Sequence, residues 1–185
     1  MQNGAELDPA LRARAAAVEL MIFDVDGVLT DGRLYFDARG EALKAFSTLD
    51  GFGIKQLQAA GVSTAIITGR RSPMVAQRAD NLGIAHVYQG VDDKDQALAD
   101  LLTRTGLDAQ QVGHMGDDWP DIAVMRQVGF AACPANAHPG VAGRVHYRTR
   151  LAGGEGAVRE VCDLLLQARG LYDALLDATW HGAGS

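Results

Sequence analysis

The chain is short of cysteine, of basic charge and of long apolar runs. Its two cysteines, Cys133 and Cys162, stand far apart and in no metal-ligand spacing, so they read as reduced, packed thiols of a cytoplasmic protein. Seventeen Lys and Arg face 23 Asp and Glu, a formal net charge of −6, and no broad basic surface offers itself to nucleic acid. No apolar run approaches a membrane span. The segment up to Glu19 is Ala-rich and charged, without the apolar stretch of a signal peptide. Internal repeats and low-complexity tracts are absent as well. The chain has 185 residues, 48% hydrophobic and 22% charged. That is an ordinary globular composition, long enough for a core. One domain is expected over residues 18–170, between a flexible N-terminal segment, 1–17, and a C-terminal tail, 171–185. Gly182–Ser185 cannot build a core.

Apolar runs and helical patterns alternate. ELMIF (Glu19–Phe23) is too short for a helix and is bounded by Asp and Gly, so it reads as a buried strand. Arg33–Phe36 and Ala42–Phe46 flank an Asp-Ala-Arg-Gly turn signal and predict a β-hairpin. A helix over Asp50–Ala60 stops at Gly61, and Val62–Ile67 is the next strand. Ser72 is placed to cap a helix ending at Leu82–Gly83. Strand His86–Tyr88, helix Lys94–Thr105, strand Val112–Met115, helix Asp121–Val128, strand Phe130–Cys133 and the amphipathic helix Glu155–Ala168 follow. This alternation predicts an α/β fold: a doubly wound, mainly parallel sheet flanked by helices, with a protruding hairpin.

In such sheets the working site lies beyond the carboxyl ends of the strands. After the first strand come Asp24, Asp26 and Gly27. The second is followed by Thr68, Gly69 and Arg70, and the third by Asp92, Asp93 and Lys94. After the fourth come Gly116, Asp117, Asp118 and, a turn later, Asp121. Clustered carboxylates resist ionisation unless a cation compensates. All-oxygen ligands together with a phosphate select a hard ion such as Mg²⁺, which would make Asp24 and Asp117 tolerable neighbours. An Asp carboxylate can attack phosphorus, and a second one can protonate the leaving oxygen and then activate water. Thr68 and backbone amides can hold phosphoryl oxygens, Lys94 can neutralise charge, and Gly27 would let the chain turn away while amides face the phosphate.

DVDGVLT (Asp24–Thr30), ITGR (Ile67–Arg70), Lys94 and GDDWPD (Gly116–Asp121) together resemble the motif set of the haloacid dehalogenase superfamily. The resemblance implies that Asp24 is the nucleophile, Asp26 the acid/base, Thr68 a phosphate ligand and Lys94 a charge stabiliser. It implies magnesium held by Asp24, the backbone carbonyl of Asp26, and Asp117, with Asp118 and Asp121 in support. The Thr30–Thr68 and Arg70–Lys94 gaps leave no room for a cap domain. A capless site is open to water unless a large substrate or a neighbouring subunit covers it. Leu34, Tyr35, Phe36, Leu43 and Phe46 exceed what a lone ribbon can bury, which points to hairpins meeting between subunits.

At finer grain the stretches from Asp24 to Leu57, Ile67 to Ile84 and Ala152 to Leu166 resemble the 3-deoxy-D-manno-octulosonate 8-phosphate phosphatase family. That resemblance implies a capless homotetramer, an acidic sugar phosphate as substrate, a role in lipopolysaccharide precursor synthesis, and a glycine-rich tail reaching a neighbour's active site. The matching residues are Gly153-Gly154-Glu155-Gly156; Glu155, an acid, is given no substrate contact. Arg70 and Arg71, with Arg78 further on, are candidates for the sugar carboxylate, because guanidinium binds carboxylate bidentately. The five histidines, His86, His114, His138, His146 and His181, show no ligand-like spacing and receive no role. Two alternatives are a nine-carbon sialate-type 9-phosphate as substrate, and a non-hydrolysing phospho-acceptor module. Against the module stands Asp26, since a domain that keeps its phosphoryl group has no use for a base placed to hydrolyse it. A 3′-phosphatase of nucleic acid would want a basic groove.

Overall fold

A computed structural model of the chain describes residues 7–181. Its main sheet has six parallel strands: β1 (Leu20–Phe23), β4 (Ser63–Thr68), β5 (His86–Gln89), β6 (Val112–Met115), β7 (Phe130–Cys133) and β8 (Tyr147–Arg148). They are ordered β5-β4-β1-β6-β7-β8. Every residue of β1 is buried, as a parallel strand covered on both faces requires. Side chains alternate across it. Met21 and Phe23 join a core with helices α1 (Pro9–Ala16), α2 (Thr48–Ala59), α3 (Pro73–Leu82) and α7 (Ala157–Ala168). Leu20 and Ile22 join a second core with α4 (Lys94–Thr105), α5 (Trp119–Met125) and α6 (Pro139–Ala142). Each fully buried Leu, Ile or Phe stabilises such a core by roughly 1.5–3 kcal/mol.

The chain leaves β1 and winds outward through β4 and β5, then returns to β6 on the other side and winds through β7 and β8. β1 therefore lies at the switch point, and the crevice opens beyond its carboxyl end, at Asp24. The hairpin, β2 (Tyr35–Asp37) and β3 (Gly40–Leu43), forms a separate two-stranded sheet. Its turn falls within the Asp-Ala-Arg-Gly signal, and the strands close in on it: β2 runs on to Asp37 and β3 starts at Gly40. The Asp37 carboxylate accepts from the Arg39 amide at 2.7 Å, and Gly40 takes φ +123°. No cap domain interrupts the described residues.

Several expectations shift. Residues 1–17 are expected to be flexible, yet Pro9–Ala16 is helical, capped by Asp8, which accepts from the Leu11 amide at 3.0 Å. In the expected tail, Tyr172–His181 forms α8, which carries His181; Gly182–Ser185 lie outside the described residues. Ser72 precedes α3, but its hydroxyl makes no capping bond. α5 begins at Trp119, because Asp118 and Asp121 form a reciprocal cap there. α7 begins at Ala157, and its N-terminus is capped from another helix: the buried Asp50 of α2 accepts from the Arg159 amide at 2.8 Å. Cys133 and Cys162 are buried free thiols, and burial pushes Cys133 up to about 11.

Candidate active site

Asp24, Asp26, Thr68, Gly69, Arg70, Asp92, Asp93, Lys94, Asp117, Asp118 and Asp121 line one open cleft of about 820 Å³ at the carboxyl edge of the sheet. The strand ends deliver them. The Asp24 amide still continues the sheet ladder, donating to the Met115 carbonyl at 3.0 Å, and the chain then turns through residues 25–30. Gly27 makes that turn with φ +91°, and a Cβ there would run into the Asp117 carboxylate. The Gly27 amide faces the Thr30 hydroxyl at 3.4 Å rather than the open cleft, so Thr30 organises the loop from within. Thr30 also accepts from the Gly32 amide at 3.3 Å and donates to the Val25 carbonyl at 3.3 Å.

Behind Asp24 lies a dense polar network. Lys94 Nζ sits 3.3 Å from Asp24 Oδ1 and 2.7 Å from Asp121 Oδ1. The wholly buried His114 places Nε2 2.9 Å from that same Asp121 oxygen. Asp121 Oδ2 accepts from the Asp117 and Asp118 amides at 3.1 and 3.4 Å. Both oxygens of Asp121 are thus engaged, and it braces the site. Although burial opposes its charge, bonding and charge from His114 and Lys94 hold its carboxyl far below the usual range. Burial also opposes charge on Lys94, but Asp24 and Asp121 outweigh it and raise its pKa.

Asp24 and Asp117 differ from Asp121 in what they lack. Burial, then the charge of Asp121, raises the Asp24 pKa, and its Oδ1 has no hydrogen-bond partner. Asp117 is pushed up to about 7 by burial first and then by Asp24, Asp121 and Asp118. Carboxylate oxygens of Asp24, Asp117 and Asp121 approach one another within 4.8 Å. Two under-compensated carboxylates facing each other fit a hard divalent cation.

Arg70 keeps its place at the cleft, with Nε 3.8 Å from Asp26 Oδ2. Arg71 and Arg78 do not line it. Arg71 reaches the Gln89 carbonyl at 3.4 Å. Arg78 donates to the Ser47 carbonyl at 3.1 Å and lies over the Phe46 ring, so within one chain both serve local structure. The glycine-rich stretch is seated on its own chain. The Gly154 amide donates to the Val28 carbonyl at 3.0 Å, and a Cβ on Gly153 would overlap the Gly27 carbonyl. Within one chain these glycines permit close approach to the loop of residues 25–30.

No family model matches the chain. The 3-deoxy-D-manno-octulosonate 8-phosphate phosphatase of Yersinia pestis is 49% identical over 156 residues, 84% of this chain and 83% of the relative. That of Escherichia coli strain K12 is 48% identical over 161 residues, 87% and 86% of the two chains. The chain belongs to this phosphatase family. Among solved structures, a probable YrbI family phosphatase from Pseudomonas syringae superposes with TM-score 0.92 at 48% identity, covering 95% of this chain and 99% of that one. The Moraxella catarrhalis 3-deoxy-D-manno-octulosonate 8-phosphate phosphatase, in complex with magnesium, phosphate and KDO, superposes with TM-score 0.89 at 40% identity, covering 91% and 97%.

Three residues of this family member escape a reading by motif. His114 braces Asp121; its place in β6, which delivers the last acidic motif, was the available signal. Lys44, beyond the hairpin, forms an ion pair with Asp26. Trp119 stands at the cleft rim, 66% exposed, its indole N–H donating to His138 Nδ1 at 3.0 Å.

Proposed function

We propose that this chain releases phosphate from 3-deoxy-D-manno-octulosonate 8-phosphate, in lipopolysaccharide precursor synthesis, through an aspartyl-phosphate on Asp24. The observation that carries the reading is one cleft holding Asp24 beside Lys94 and Asp26 two residues on. Asp24 attacks phosphorus; the bond from phosphorus to the sugar oxygen breaks, and Asp26 gives that oxygen a proton. Asp26 then takes a proton from water, whose oxygen attacks phosphorus and frees Asp24. Lys94 holds positive charge against the nucleophile, and Thr68 and Gly69 line the phosphate end of the cleft. Asp24, Asp117 and the main-chain carbonyl of Asp26 would hold Mg²⁺. When bound, it supplies the positive charge that lets two carboxylates and a phosphate share this space. Asp118 and Asp121 support this end of the cleft, Asp121 through its bonds to Lys94 and His114.

Arg70 is the cleft arginine for the sugar carboxylate. The assembly in this reading is a homotetramer whose hairpins meet, in the cytoplasm. In its support, Phe36 is 61% exposed, and Leu34 and Leu43 also face out. Tyr35 and Phe46, by contrast, pack on their own chain. Two buried, free thiols suit a reducing compartment. The test is a phosphate-release assay across sugar phosphates, including the eight- and nine-carbon keto acids. The eight-carbon acid should give the highest kcat/KM. Preference for the nine-carbon acid would transfer the substrate, and no turnover of any ester would favour a phospho-acceptor module.

A further inference from the structure

Asp26 is held asymmetrically. Its Oδ1 pairs with Lys44 Nζ, and its Oδ2 has no hydrogen-bond partner although buried. Arg70 Nε lies 3.8 Å from Oδ2, too far for a hydrogen bond. Lys44 itself is unusual: its side chain is only 1% exposed, and Glu41 holds the same ammonium at 3.0 Å. A lysine buried this far is stable only with such partners. Both Lys44 and Glu41 come from the hairpin strand β3 or the residue just after it, whereas Lys94 and Asp121 behind Asp24 come from α4 and α5.

We propose that Lys44 is the positioning residue of the acid/base: by donating to Oδ1 it leaves Oδ2 as the oxygen of Asp26 that carries and moves the proton. An ammonium only donates, and in a carboxylic acid the carbonyl oxygen accepts better than the hydroxyl oxygen, so the bond from Lys44 favours Oδ1 as the carbonyl and Oδ2 as the oxygen with the proton. When Asp26 is in its acid form the proton therefore sits on Oδ2, the unpaired oxygen. In the first half-reaction Asp24 bonds to phosphorus, the phosphorus–oxygen bond of the ester breaks, and the Oδ2 proton passes to the departing alcohol. In the second, water gives its proton back to Oδ2 as its oxygen bonds to phosphorus. Lys44 keeps its own protons throughout. It also ties this step to the hairpin, because Glu41 and Lys44 move with β3.

The inference rests on the phosphatase reading, and leaving-group dependence tests it separately. kcat/KM reports the steps up to loss of the alcohol. An alkyl phosphate needs the Oδ2 proton for that loss; 4-nitrophenyl phosphate, with a stable phenolate, does not. Lys44→Met should lower kcat/KM for the alkyl ester by about 30-fold or more and for the aryl ester by less than about 5-fold, part of the 10²–10⁴ that a placed acid supplies. Asp26→Asn should show the same bias, and Lys44→Arg should recover a good part of the alkyl activity. If Lys44→Met fails to fold, Glu41→Gln, which loosens the lysine without removing it, should show the bias in weaker form. Equal losses on both esters in either folded variant would overturn the proposal. The alkyl arm uses whichever alkyl phosphate the wild type hydrolyses, so a wrong sugar would sink the substrate assignment and leave this test standing. A wild type that hydrolyses no ester sinks both.

Discussion

Asp24 and Asp26 are separated by one residue, yet they live in different surroundings. Asp24 is backed by the main sheet: Lys94 from α4, and behind it Asp121 and His114 from α5 and β6, all buried. Asp26 is backed by the hairpin, through Lys44 and Glu41, with Arg70 beside its unpaired oxygen. The difference follows the two tasks proposed for them. A nucleophile must meet one atom at one angle, and a deep mount fixes it. A proton shuttle must serve first the leaving alcohol and then water, so it needs one tethered oxygen and one unpaired oxygen.

The comparison breaks most sharply at the two carboxylates. Asp24→Asn should bring phosphate release to background, and Asp26→Asn should leave a small residue of turnover with phosphoenzyme accumulating. Mass spectrometry of acid-quenched enzyme would check the latter, and full activity in Asp24→Asn would sink the mechanism. Next comes the main-sheet mount: Lys94→Met should cost on the order of 3 kcal/mol of barrier, about a hundredfold in kcat. It should cost as much on aryl as on alkyl esters, unlike Lys44→Met.

The metal side responds to pH. In the metal-free protein Asp117 is pushed up to about 7, above its ordinary 3.8. The folded state thus favours the protonated form. This stabilisation is fully present below the unfolded value and is lost as pH rises through about 7. Cation binding must displace that proton, so apparent Mg²⁺ affinity should rise by up to about tenfold per pH unit below neutrality and level off above. Calorimetry in buffers of different ionisation heat would count the protons. A flat profile would rule Asp117 out as the group displaced.

Two smaller effects lie away from the chemistry. Asp50→Ala removes the cap that α2 supplies to α7 and should lower stability by about 1–2 kcal/mol, read by denaturant midpoint, with kcat nearly unchanged. Phe36→Lys on the exposed hairpin should split the assembly in sedimentation, with less than about 0.5 kcal/mol of change in the isolated fold.

Most of the Asp24 side was legible in the chain. Its strands are short buried runs ended by Asp, Thr or Gly, and Val112–Met115 and Phe130–Cys133 fall at the positions the pattern predicts. Once strand order is assumed, their ends converge, and Thr68, Lys94 and Asp117 follow. The Asp26 side was not legible. Lys44 falls inside the expected second ribbon, Ala42–Phe46, and a lysine in an alternating ribbon reads as solvated. Its burial comes with its pairing to Asp26, 18 residues earlier in the chain. Arg71 and Arg78 lie outside the cleft lining within one chain, where each donates to a nearby carbonyl, of Gln89 and of Ser47.

By itself the sequence determined the parallel sheet, the crevice at its switch point, and the carboxylates, threonine and lysine that enter it, because strand periodicity and strand ends are local properties. Only the tertiary structure decided which partner each carboxylate takes. It placed His114 and Lys94 on one oxygen of Asp121, Lys44 on one oxygen of Asp26, Asp50 on the end of α7, and Gly153 against the nucleophile loop. Apart from His114 and Asp121, those pairings join residues at least 18 apart in the chain, and they arise because a buried charge must find a donor or a counter-charge in whatever the fold brings near it.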